Sequence, residues 1–201
     1  MIDLAHLASI FDRLKRGYHL GPDDEPEFSA LCGGRSDEYT AFFAAIGLKL
    51  VRHEREFFYF EPDNPETVPD TLPRIAIFSY IMIDHAANQG RPIEEFIFGQ
   101  NFLVTALPHF TFDRYTALLR QVDVHDMPDL KTLLKHMERI GWVKWLGEDE
   151  FRFLRPFHRV FSKCLEIVNS TQAAAKQAAE NPGPPTTDGD QHSATPAATD
   201  E

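Results

Sequence analysis

The sequence predicts a mainly α-helical protein with small β-hairpins, an α+β fold in which one helix-hairpin unit occurs twice. The second unit spans residues 129–156, where Leu130, Leu133 and Met137 lie on one face of a predicted helix. Gly141 follows at the position where a helix needs a left-handed closing residue. Two β-rich runs, residues 142–146 and 151–154, then flank a polar turn. A helix with a polar exposed face followed by a hairpin is typical of the recognition helix and wing of a winged-helix domain.

The same order of features occurs earlier in the chain, around Gly47. This glycine precedes a run at residues 48–52, a charged turn and a second run at residues 57–60. At an offset of 94 residues and without a gap, the matched pairs are Phe43 with Met137, Ile46 with Ile140, Glu54 with Glu148, Glu56 with Glu150, Phe57 with Phe151 and Tyr59 with Phe153. Either a common arrangement coincides by chance or the chain holds two copies of one unit. We favour two copies, and hence tandem winged-helix domains.

The length of 201 residues suits two small domains and a tail. Four prolines between residues 61 and 73 predict an exposed linker. The expected division is an N-terminal winged-helix domain at 1–66, a C-terminal one with a trailing helix at 67–179, and an acidic tail at 180–201. The tail has no large apolar residue, so we expect it to be disordered.

Other helices are predicted from apolar periodicity and from breaker residues. Ser36 and Asp126 are the expected caps of the two recognition-type helices. The predicted helix at residues 75–88 is strongly apolar and must be buried. The surplus of apolar surface at its residues 75–82 suggests a homodimer. The further predicted helices cover residues 4–14, 25–31, 75–88, 92–98, 112–122 and 157–179.

Charge is unevenly distributed along the chain. The net charge is −11, and because the tail from Glu180 holds five acids without Lys or Arg, residues 1–179 carry −6. Between residues 131 and 163, eight basic residues face four acids. The candidate DNA-binding residues in this cluster are Lys131, Lys135, Arg139, Lys144, Arg152 and Arg155, with Arg159 and Lys163 beyond them. The alternative is an ordinary solvated helix face that Glu138 and the acidic turn neutralise. The first recognition-type helix carries Asp37 and Glu38, so it suits protein partners better than phosphates.

Catalytic and cofactor motifs are missing from the sequence. Residues 33–36 lack both the spacing and the lysine of a phosphate-binding loop, and the nine histidines have no metal-ligand spacing. Cys32 and Cys164 are far apart, which favours reduced thiols in a reducing compartment. Neither a leader sequence nor a membrane-length apolar run is present. We therefore expect a cytoplasmic protein without enzymatic activity, metal or cofactor.

Two segments resemble a known family. FFAAIGLKLVRHEREFFYFEP and LKTLLKHMERIGWVKWLGEDEFRFLRPFHRVF are similar to the accessory subunit of bacterial condensins called MukE, and more closely to its shorter relative MksE. The resemblance covers residues 35–161 and is weakest at 93–126. It implies a kleisin-interacting tandem winged-helix protein that is not the ATPase. The implied partners are a kleisin of the MksF/MukF type, an SMC ATPase of the MksB/MukB type, double-stranded DNA bound without sequence preference, and a second copy of the chain. No individual binding residue is carried over.

Two functions follow as hypotheses. The first is a condensin accessory subunit that acts on the nucleoid in chromosome condensation and partition or in plasmid defence. The alternative is a tandem winged-helix DNA-binding transcriptional regulator. A regulator needs a helix able to read base edges in both copies, and the acidic first helix counts against it.

Overall fold

The computed structural model describes residues 4–61 and 70–165 of the chain. It is mainly helical with small antiparallel sheets, as predicted. The acidic tail, the end of the trailing helix and most of the proline linker lie outside the described residues. The elements are α1 Leu4–Lys15, α2 Glu27–Cys32, α3 Ser36–Ala45, β1 Leu50–His53, β2 Phe57–Phe60, α4 Thr71–Asn88, α5 Ile93–Phe98, β3 Phe102–Leu103, α6 Asp113–Arg120, α7 Met127–Arg139, β4 Val143–Trp145, β5 Glu150–Phe153 and α8 at 158–165.

The first half, residues 4–61, holds three helices and a hairpin around its own apolar core. β1 and β2 pair antiparallel, and Leu20, in the segment between α1 and α2, adds a single bridge to Phe58. The buried residues of this core are Leu7, Ile10, Leu14, Leu20, Leu31, Tyr39, Phe43, Leu50 and Phe58. The apolar stripe of α1 therefore covers one side of the hairpin.

The second half, residues 70–165, repeats this order with additions. β3 lies between α5 and α6 and pairs with β5, which also pairs with β4, so the sheet order is β3-β5-β4. A separate and larger apolar core surrounds α4, whose Phe78, Ile81 and Met82 are fully buried. The chain thus has two apolar cores, while Met1–Val168 form one compact unit.

The helix before the hairpin ends in the same way in both halves. Gly47 and Gly141 have φ of 80° and 77°, a left-handed conformation that favours glycine. After each glycine the next backbone N–H donates to a carbonyl one turn back in the helix: Leu48 N to Phe43 O and Trp142 N to Met137 O, both at 2.9 Å. The 94-residue offset therefore holds at the ends of α3 and α7.

Across the hairpins, the predicted match without a gap is wrong by one residue. Leu20 bridges to Phe58, whereas Phe102 pairs with Phe151, so Phe151 corresponds to Phe58 and not to Phe57. The hydrogen bonds that open the two hairpins, Glu61 N to Lys49 O and Leu154 N to Trp142 O, differ by 93 residues as well. The first half has one extra residue after its glycine. Because a strand alternates faces at every residue, this shift decides which side chains enter the core.

Other expectations need correction. α4 begins at Thr71, inside the predicted linker, because a proline is tolerated in the first turn, where its missing N–H has no partner to lose. Ser36 is the first residue of α3 and does not cap it, whereas the Asp126 side chain accepts from Asp129 N at 2.9 Å as predicted. Ile75, Ile81 and Met82 are at most 2% exposed, so most of the apolar surface of residues 75–82 lies inside the fold, with Ile77 half-buried and Tyr80 37% exposed. No helix among the described residues has the length and apolarity to cross a bilayer.

Candidate nucleic-acid interface

The exposed face of α7 carries a row of basic residues. Asp126 caps the start of this helix, and its buried side holds Leu130, Leu133, Leu134 and Met137. The opposite side presents Lys131, Lys135 and Arg139, which follow one another at four-residue spacing and so lie along one line. Lys135 and Arg139 are exposed, and Lys131 is half-buried beside the hairpin.

A concave pocket of about 350 Å³ lies between α7 and the first turn of α4. Lys135 and Arg139 supply positive charge at its walls, where Arg74 pairs with Asp123 at 3.8 Å and Asp129 adds a further acid. His136 in the pocket contacts Thr71 Oγ1 through Nε2 at 3.3 Å. Burial and the neighbouring guanidinium of Arg139 lower the pKa of His136. Arg74 was absent from the predicted basic cluster, because that cluster covers only residues 131–163 and the approach of α4 to α7 is a long-range contact.

The second hairpin carries one further exposed base. Lys144 on β4 is exposed and lies directly across from Arg152 on β5. Lys131 forms an ion pair with Asp149 in the hairpin turn, so its charge is already compensated. The predicted bases of α7 and β4 that are exposed and form no ion pair within the described part of the chain are therefore Lys135, Arg139 and Lys144.

Arg152 and Arg155 instead join the two halves of the chain. Arg152 pairs with Asp23, and Arg155 pairs with Glu56 in the turn of the first hairpin. Arg55 in the same turn donates to Glu94 of α5 at 2.9 Å. The structure therefore does not place Arg152 and Arg155 in the α7 row, and the first hairpin turn is held against the second half.

His19 lies at the centre of this junction between the halves. Its Nδ1 is 3.1 Å from Ile140 O, and its Nε2 accepts from Arg159 at 3.0 Å, so the ring is neutral with its proton on Nδ1. Burial first, and then the charge of Arg159, lowers the pKa of His19 to about 3. Arg159 also lies 4.2 Å from the centre of the Tyr59 ring, and Trp142 packs edge-on against His19. Trp142, just before β4, is therefore buried in the junction. Trp145, at the end of β4, is half-buried and packs against the apolar core of the second half.

The α3 helix has a different surface at the positions that correspond to the α7 row. With the 94-residue offset, Asp37, Ala41 and Ala45 occupy the places of Lys131, Lys135 and Arg139. All three are exposed, and Phe42 and Ile46 beside them are 38% and 52% exposed. One helix of the repeated unit therefore presents bases, and its counterpart presents an acid and an apolar stripe.

No group of three or more potential metal ligands occurs within residues 4–61 and 70–165. Within the same part of the chain, both cysteines are free thiols, and burial raises the pKa of each.

The comparisons with known proteins point to a class of chromosome-associated assemblies, the condensin complexes. The matching family is described as condensin complex protein MksE, and it covers residues 5–165. The chain belongs to this MksE family and is a condensin-type accessory subunit. No curated protein matches the sequence.

Proposed function

We propose that this chain is a tandem winged-helix subunit, without catalytic activity, that binds the kleisin of an SMC complex of the Mks/Muk type and helps hold DNA. The repeated order of helices and hairpin supports two winged-helix units. In each half, a short strand or bridge lies ahead of the two helices that precede the hairpin and pairs with that hairpin, at Leu20 in the first half and at β3 in the second. That extra pairing is the arrangement expected of a winged helix, in which the first strand joins the wing.

The second half is the DNA-facing half in this proposal, and the observation that carries it is the open basic face of Lys135, Arg139 and Lys144. Contacts from such a face go to phosphates, so they are weak, indifferent to sequence and steeply dependent on salt. The net charge of −11 opposes binding by the isolated chain. Its contribution appears in the assembled complex, where DNA is already held close to this face.

The partners in this proposal are the kleisin, the SMC ATPase reached through the complex, DNA, and a second copy of the chain. The complex acts in the cytoplasm on the nucleoid, in chromosome condensation and partition or in plasmid defence. A transcriptional regulator is less well supported, because α3 offers Asp37 and alanines where a second reading helix needs donors to bases and phosphates.

The test reverses the open basic face within the assembled complex. Lys135→Glu, Arg139→Glu and Lys144→Glu are combined, whereas Lys131 is kept because of its pair with Asp149. The control combines Lys15→Glu, Arg16→Glu and Lys49→Glu, which change the net charge equally at exposed positions of the first half.

We expect the α7 variant to lose DNA retention as salt rises, with a binding slope smaller by about 1 per lost phosphate contact. The control should retain DNA like the unchanged complex. Equal retention by both variants from low to moderate salt would show that the α7 row is only a solvated helix face.

A further inference from the structure

The pocket between α7 and the first turn of α4 has the size of a small-molecule site. Its volume of about 350 Å³ lies at the lower end of the range of about 300–1,000 Å³ that small-molecule clefts occupy. Val124 and Leu133 form an apolar floor, because both line the pocket and are at most 4% exposed. The walls come from the two helices and from the segment between α6 and α7, and they are mostly polar.

Three bases line this pocket, Arg74 of α4 and Lys135 and Arg139 of α7. Asp123 lies 3.8 Å from Arg74, which is beyond hydrogen-bonding distance, and its side chain is 80% exposed, so water screens this pair. The second acid, Asp129, accepts a backbone N–H bond at 2.9 Å in the first turn of α7, where the helix dipole offsets its charge. The pocket therefore favours an anion.

His136 holds two hydrogen-bond donors in place on the two walls of the pocket. Because a guanidinium can only donate, Arg139 donates to His136 Nδ1, and the proton of the neutral ring lies on Nε2. The lowered pKa of His136 keeps this ring neutral at pH 7. Nε2 donates to Thr71 Oγ1 at 3.3 Å, so the hydroxyl proton of Thr71 points away from His136. The Thr71 hydroxyl and the other N–H groups of Arg139 are thus oriented donors.

We propose that this pocket binds a phosphomonoester of nucleotide size, of the class of the nucleoside monophosphates. The phosphate oxygens accept from Arg74, Arg139 and Thr71, while Lys135 adds a point charge. The apolar floor packs against the sugar or the base, and Asp123 at the rim accepts from a hydroxyl or amino group. A monoester fits better than the backbone of a duplex, because it is small enough to enter the cleft and carries close to two negative charges at pH 7.

The experiment titrates the full chain with the four ribonucleoside monophosphates and, separately, with inorganic phosphate. Histidine ring signals in NMR spectra report the site. The signal of His136 should move, because a bound phosphate places negative charge beside the ring and raises its pKa. The signal of His109, which is buried in the second core, should stay in place.

Two substitutions remove pocket donors and leave the basic row of α7 intact. Arg74→Gln should weaken nucleotide affinity at least about tenfold, because it removes a charge-assisted hydrogen bond. Thr71→Val keeps the side-chain shape and should weaken the affinity about threefold or more. Lys144→Gln removes an equal charge from β4, outside the pocket, and should leave nucleotide affinity unchanged. Melting curves verify that each variant folds.

Three results would overturn the proposal. The first is a His136 signal that does not move with any nucleotide up to about 10 mM, a concentration that would reveal even millimolar binding. The second is an equal loss of affinity in Arg74→Gln and Lys144→Gln, which would indicate general attraction to a basic surface. The third is inorganic phosphate that binds as tightly as the nucleotides, because the floor and the rim would then contribute nothing.

Lys135 and Arg139 also belong to the open basic face, so a bound nucleotide should displace DNA from it. This consequence rests on the proposed function, whereas the titration of the isolated chain does not. DNA retention by the assembled complex is measured with and without saturating nucleotide, and we expect retention to fall. Unchanged retention with a nucleotide that does bind would overturn the shared use of these two bases and leave the pocket site standing.

Discussion

Replacing Gly141 by alanine should destabilise the chain more than the same change at Gly47. Both glycines have left-handed φ, so alanine costs about 1–2 kcal/mol at either position. The surroundings differ. A Cβ at position 47 would meet nothing within 4 Å, whereas one at position 141 would lie 2.7 Å from the carbonyl oxygen of His19 and 2.9 Å from Cζ of Tyr18.

The contact at position 141 cannot be relieved by rotating a flexible side chain, because His19 presents backbone. His19 N–H also donates to Ile140 O at 3.0 Å, so the clash pushes directly on the junction between the halves. Overpacking of this kind costs about 1–3 kcal/mol. The stabilising loss of unfolded-state entropy is the same for both glycines and cancels in the comparison. We therefore expect Gly141→Ala to exceed Gly47→Ala by about 1–3 kcal/mol.

Urea unfolding followed by tryptophan fluorescence measures this difference. Trp142 packs against His19 with ring centres 5.5 Å apart, so Gly141→Ala should also shift the native emission, while Gly47→Ala should not. Equal losses of unfolding free energy in the two variants, at unchanged urea slope, would refute the proposed rigid contact between the halves.

Three further predictions concern stability. His19 and His109 are buried, and burial first of all lowers the pKa of each to about 3. Because the unfolded chain binds these protons more tightly, unfolding free energy should fall as pH drops below about 6.5, by about 1.4 kcal/mol per histidine at pH 5.5. Urea titrations at pH 7 and 5.5 measure this loss, and equal stability at the two pH values would contradict it. Asp126→Ala removes the cap of α7 and should cost about 1 kcal/mol in the same assay, whereas no loss would mean that the cap is dispensable. Truncation after Asn181 should leave the melting temperature unchanged, and a fall of several degrees would contradict this.

The repeated helix endings could be predicted from the sequence because a single residue type carries the signal. A glycine after an amphipathic helix marks a left-handed closure, and Gly47 and Gly141 both have it. The two-residue strand β3 and the bridge at Leu20 could not be predicted, because one or two residues are too few for an alternation of apolar and polar side chains to be recognised. Without these two pairings, the sequence offered no reference point for aligning the two hairpins, and their predicted match was therefore wrong by one residue.

The candidate site was predictable only in part, for a related reason. Helical spacing correctly placed Lys135 and Arg139 on one exposed face, because that prediction needs only local periodicity. The partner of Arg152 is Asp23, 129 residues away, and periodicity says nothing about such a contact. Three of the eight bases in the predicted cluster, Arg152, Arg155 and Arg159, therefore proved to connect the halves, which composition alone cannot distinguish from a phosphate contact.

The two units share one backbone plan but expose different surfaces, because their hairpins contribute unequally to the junction between the halves. Arg55 and Glu56 connect the first hairpin turn to the second half, while the outer face of α3 stays exposed. In the second hairpin Lys144 is exposed. Substituting a few residues along one helix face, with the apolar core side unchanged, is enough to convert a face for anions into a face for apolar segments, since face and core alternate within each helical turn.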